Sequence, residues 1–68
     1  MQVDNNDVKR AARRAEILRD SGVDVIPVVI GEEWASLLSR KEAENLAVAW
    51  KVGNELSPGF IEYRKVAI

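Results

Sequence analysis

A run rich in β-branched residues, Val23, Asp24, Val25, Ile26, Pro27, Val28, Val29 and Ile30, closed by Gly31, constrains this chain more than any other feature. Its apolar residues do not alternate with polar ones, which suits a strand buried on both faces. Pro27 pulls the other way. It has no N–H to give to a ladder and favours an edge, a bulge or a terminus. A strand over 23–30 with one unpaired side near Pro27 satisfies both signals, and so does pairing at an oligomer edge that skips that position.

The element before the run is a helix. Val8, Ala11, Ala12, Ala15 and Leu18 recur at the spacing of one helical face, so residues 4–22 are expected to be helical. Asn5, Asn6 or Asp7 is expected to cap its start, and Gly22 sits where a helix ends in a left-handed residue. The small alanines let the helix lie close against a sheet.

After Gly31 the helical phase breaks. Trp34, Leu37 and Leu38 share one face, whereas Ala43, Leu46, Ala47 and Trp50 share nearly the opposite one. Residues 32–38 are therefore expected to form a short helical turn. Ser39 followed by Glu42 is a capping-box pattern that marks a new helix from about Arg40. Residues 46–53 fit a strand's period of two as well as a helix, and Ser57-Pro58-Gly59-Phe60 spells a type II turn. Two readings stand: a C-terminal hairpin over about 48–67, or a helix over 40–51 followed by one final strand over 60–68. In that strand the apolar parity switches from Ile61 and Tyr63 to Val66 and Ile68, which suggests a bulge or a doubly buried terminus. Either way the fold class is α/β or α+β, a single domain over 1–68 in α-β-α-β order, with two helices on a short sheet.

At 68 residues, such a core supplies only about 3 to 5 kcal/mol. The chain has no Cys, no His and no Thr, so disulfides and structural zinc cannot add to it. Close packing or oligomerisation must. Val, Ile, Leu and Phe fill 20 of the 68 positions, enough for a globular core. No apolar run approaches a membrane span, no secretory signal is seen, and the lack of Cys is compatible with the cytoplasm, the expected location.

The same absences restrict chemistry. Catalysis by a Ser-His or Cys-His pair needs an imidazole, and none exists. Ser21, Ser39 and Ser57 read as caps and turn residues, and no Gly-rich phosphate loop or cofactor motif is present. A net charge of −1 gives no bulk attraction for nucleic acid. Locally, Lys9, Arg10, Arg13 and Arg14 face away from the apolar stripe of the first helix, with Arg10, Arg13 and Arg14 grouped around Ile17 on the solvent side, and are the nucleic-acid candidates. Asp7, Glu16 and Asp20 are spaced to pair with them. Glu32 and Glu33 follow the expected strand, at the end where α/β sheets collect ligands. Asp24 cannot join them on one ion, being eight residues of extended chain away, roughly 26 Å. Favouring the positive end of a helical turn is their simpler role.

Surfaces are thus the expected carriers of function. The leading expectation is a small non-enzymatic interaction or regulatory module acting as a homo-oligomer, with Trp34, Val28, Ile30 and Ile17 as interface candidates and a protein partner as a further possibility. A nucleic-acid-associated protein is the second reading. A carboxylate-metal enzyme with Glu32 and Glu33 at an oligomer interface is the third.

Overall fold

The helix expected over 4–22 is α1 (Asn5–Asp20) in the computed structural model, which describes residues 1–66. Its cap is Asp4 rather than Asn5, Asn6 or Asp7. The Asp4 carboxylate accepts from the Asp7 N–H at 3.0 Å and the Asp7 carboxylate from the Asp4 N–H at 3.1 Å, a reciprocal box that leaves both asparagines inside the first turn. At the other end Gly22 has φ +86°, and the N–H groups of Gly22 and Val23 donate to Arg19 and Leu18. This is a Schellman closure. Val8 and Ala15 are buried, with Ala11 and Ala12 partly so.

The β-branched run is less regular than expected. Strand structure begins at β2 (Val28–Gly31), and residues 23–27 form a connection in which the Arg19 guanidinium holds the Val25 carbonyl at 2.9 Å. Burial alternates along β2: Val29 is buried, Val28 half-buried and Ile30 60% exposed. The strand is covered on one face, not both. β-Branching here reports strand preference rather than double burial. Pro27 takes part through its carbonyl, which accepts from the Ala49 N–H at 2.9 Å.

No helical turn follows. Glu32 bends the chain into β3 (Glu33–Trp34), which pairs in parallel with β1 (Gln2–Val3). Consecutive residues of a strand aim their main-chain groups at opposite edges. The Gly31 carbonyl accepts from Gly53, whereas the next residue, Glu32, donates to Met1. β1 therefore lies on the edge of this bent strand away from Gly53. A Cβ at Gly31 would sit 2.5 Å from the Val3 Cγ2 atom, so only glycine lets β1 approach.

The second helix, α2 (Leu37–Asn45), starts earlier than Ser39 suggests. Ser36 occupies the cap position without a side-chain cap bond, and Ser39 is buried within the helix. Leu37 and Leu38 are largely exposed while Ala43 faces the core. The end of α2 repeats that of α1: Ala47 donates to Glu44 and Val48 to Ala43. Ala47 holds the left-handed position at φ +55°, where glycine is usual.

The ambiguity over 46–53 resolves as strand β4 (Ala49–Val52), which turns at Gly53-Asn54 into β5 (Glu55–Leu56). A hairpin therefore exists, but its turn is not at residues 57–60. Pro58 instead opens α3 (Pro58–Val66), so the strand expected over 60–68 is helical as far as Val66, and positions 67 and 68 lie outside the described residues. Proline suits the first helical position because its missing N–H has no partner there. The Ser57 Oγ accepts from the N–H groups of Phe60 and Trp50, each at 3.0 Å, fixing α3 to β4.

The result is an α+β fold with a mixed three-stranded sheet, β2-β4-β5, and a two-stranded parallel one, β1-β3. Val48, Trp50 and Val52 join Val29, Val3, Val8 and Ala43 in the core beneath α1 and α2. Ala49 faces the other way, towards Gly59 at the start of α3. Among the described residues, no Leu or Ile is buried. Nor is any described helix long and apolar enough to cross a membrane.

A left-handed non-glycine residue costs about 1–2 kcal/mol, partly offset by the added chain entropy of glycine when unfolded. Ala47→Gly is therefore expected to stabilise the fold by about 0.5–1 kcal/mol in urea denaturation.

Candidate functional site

Two regions gather polar or unpaired groups: a hydrogen-bonded cluster around Glu55 and an open groove beside β2. The cluster joins four elements. Trp34 of β3 and Trp50 of β4 meet edge to face, with ring centroids 5.6 Å apart. Both indole N–H groups donate to the Glu55 Oε1 atom, at 3.2 and 3.1 Å. The Arg40 Nε atom lies 3.1 Å from each Glu55 carboxylate oxygen, and Arg40 Nη1 reaches Glu44 at 2.8 Å. The guanidinium carbon lies 5.4 Å from the centroid of the Trp50 ring. The Trp34 N–H is the main influence holding the Glu55 carboxyl below its ordinary range; desolvation, next in size, opposes it, and the bonds and charge of Arg40 and the Trp50 N–H act with Trp34.

A carboxylate held ionised by three donors is a poor general acid, and its bonded oxygens are poorly placed to take a metal. The arrangement reads as a clasp across α2, β3, β4 and β5. Trp34, an interface candidate from sequence, is half-buried and commits its N–H here. Sequence reasoning missed Glu55 and Arg40. Only the i,i+4 spacing of Arg40 and Glu44 hinted at part of the cluster, since Glu55 meets Trp34 across 21 positions.

The groove lies between α1 and β2. Arg10, Ala11 and Arg14 line it opposite Val28 and Ile30, and it continues past Ala15 and Leu18 opposite Val25, Ile26 and Pro27. Val28 and Ile30 share the main-chain orientation of Glu32, away from β4, and β1 reaches only as far as the Met1 bond to Glu32. Among the described residues, the N–H and C=O groups of Val28 and Ile30 on this edge pair with no strand.

The remaining sequence candidates fall around this groove. Ile30 and Val28 form its strand side. Ile17 is 54% exposed and, by helical phase, stands beside Arg10 on the outer rim. Arg10 and Arg14 face the groove, whereas Lys9 and Arg13 point away from it. The ion pairs expected along α1 are not formed. Asp7 is engaged with Asp4, and among the described residues none of the four basic side chains lies within 4.0 Å of an acidic one.

Glu32 and Glu33 do not start a helical turn. The exposed Glu32 carboxylate lies 3.5 Å from the Met1 amine, and Glu33 accepts from the Gln2 side chain at 3.0 Å. No group of three potential metal ligands occurs among the described residues. No protein-family model, curated protein or solved structure matches the chain.

Because the Glu55 pKa is depressed in the folded state, its stabilising effect is present above the unfolded value of about 4.3 and is lost as pH falls through the lower folded value. Glu55→Gln should therefore lower the unfolding midpoint at pH 7. The gap from the parent chain should close as the pH falls below the ordinary carboxylate range, measured by thermal melts followed through tryptophan fluorescence.

Proposed function

We propose that this chain is a small non-enzymatic interaction module of the cytoplasm that acts as a homo-oligomer. The observation that carries this reading is the open edge of β2, with Ile30 60% exposed beside it. An edge strand offers unpaired donors and acceptors that template pairing with another strand, and folded proteins commonly blunt such edges with charge, proline or cover. Here the side chains along the edge are Val28 and Ile30, and α3 sits over Ala49 rather than over them. The distribution of large aliphatic groups supports the same reading. Among the described residues, a core of Val, Ala, Trp and Phe leaves most Leu and Ile at the surface, where a partner would bury them.

Sedimentation velocity at micromolar concentration is expected to show a species larger than the 7.6 kDa monomer. Ile30→Lys places a charge at the edge and should return the chain to monomer with its circular dichroism intact. A parent chain that stays monomeric at high micromolar concentration sinks this reading.

A second reading rests on the unpaired cations of α1. Lys9, Arg10, Arg13 and Arg14 along one helix suit a phosphate backbone. Glu16 and Asp20 on the same outer side oppose it, as does the net charge. If nucleic acid is the partner, anisotropy with a labelled duplex should show affinity falling steeply with salt. Lys9→Glu with Arg13→Glu should then abolish binding.

A further inference from the structure

Resting on the homo-oligomer reading, we infer that the β2 edge is occupied by a second copy of this chain. The second copy docks antiparallel about a two-fold axis through Val29, with Asp7 of each copy facing Arg14 of the other.

The register follows from which main-chain groups are free. In an antiparallel pair, residues that face each other across hydrogen bonds exchange both N–H and C=O. Only Val28 and Ile30 of β2 offer both groups on the open edge. An axis through Val29 sets Val28 against the second copy's Ile30, and the reverse, so all four groups of each copy are used. Sliding one way brings Ile30 against Ile26, outside the strand; sliding the other brings Val28 against Glu32, whose N–H already donates to Met1.

The helices then supply charge complementarity. Asp7, Arg10, Ala11 and Arg14 flank Val28 to Ile30, whereas Ala11, Ala15 and Leu18 flank Val25 to Val28. α1 thus runs opposite to β2, and the level of Val29 falls between Arg10 and Ala11. A two-fold axis normal to the sheet at that level lays the two α1 helices antiparallel on the same face. Asp7 then meets the second copy's Arg14, and Arg10 meets its Ala11, whose small side chain leaves room for the arginine. Arg14 has no acidic partner among the described residues of its own chain, and Asp7 uses only Oδ2 in the helix cap. Both groups are available for the cross-pair.

The chain has no cysteine, so Val29→Cys introduces a single thiol. At the axis the two Cα atoms would stand about 4.5 Å apart, inside the range that a disulfide spans. Mild oxidation of this variant should give covalent dimer, whereas Leu38→Cys on exposed α2 should give little.

A charge swap tests the same geometry without touching the core. Arg14→Glu should weaken self-association about tenfold at low salt, and the effect should shrink at high salt. Adding Asp7→Lys should restore association to near the parent level, with helix content followed by circular dichroism because Asp7 also caps α1. A dimer that neither cross-links through the thiol introduced at position 29 nor responds to the charge swap overturns the geometry and leaves the homo-oligomer reading standing. Monomer throughout, or an edge filled by an unrelated extended peptide, overturns both.

Discussion

β4 is the element on which the rest of this structure depends. It is four residues long and hydrogen-bonded to β2 on one edge and β5 on the other, with Ala49, Trp50 and Val52 buried and only Lys51 exposed. Trp50 concentrates that role. Its main-chain N–H donates to the Ser57 hydroxyl, its carbonyl accepts from the Ser57 N–H, and its indole reaches Glu55. The side chain also lies in the core against α1 and α2. Few main-chain groups of β4 are left for water, so the chain on either side of it must arrive in one register. The bent strand of β2 and β3 then carries β1 on its far edge, and the Glu55 clasp joins α2 to the hairpin.

What was legible in the sequence was what local chemistry decides. α1 could be read because an alanine stripe, an acidic cap region and Gly22 all agreed within one segment. The closure of α2 has the same hydrogen bonds, but Ala47 stands where the signal would be glycine, and the boundary was blurred. Ser39 and Glu42 carry a capping pattern on the wrong turn; burial of Ser39 inside the helix overrode it. Ser57-Pro58-Gly59 fits a type II turn and a helix start equally well at the level of propensity. A long-range contact chose between them, the bond from Trp50 to Ser57 that makes the serine a cap. The candidate groove was half legible: Val28, Ile30, Arg10 and Arg14 were all singled out, but nothing in the order of residues showed that they share one cleft. Glu55 could not be found at all, because its donors come from three separate elements.

The core inverts a common allocation. Val, Ala, Trp and Phe fill the interior while, among the described residues, Leu and Ile lie outside or at its margin. Short side chains permit close approach of α1 to the sheet, and they explain how a fold only 19 Å across its thinnest dimension holds helices on both faces. They also bury little apolar area per residue. Closer layers thus come with less hydrophobic stabilisation inside each chain, and the uncovered aliphatic groups along β2 are where more can be gained.

The parallel pairings also order events in time. Among the described residues, Val28 to Gly31 find their ladder partners in Ala49 to Val52, and Gln2 and Val3 find theirs in Glu33 and Trp34. A ribosome releasing the chain from its N-terminus therefore exposes β1 with no neighbour until β3 emerges, and exposes both edges of β2 until β4 has followed. Local helices such as α1 form early, whereas the three-stranded sheet waits for Ala49 to Val52 to emerge. During that interval the main-chain groups of Val28, Val29 and Ile30 have no β4 ladder to pair with. The rate at which β4 closes over β2 then determines how long that pairing edge stays unsatisfied.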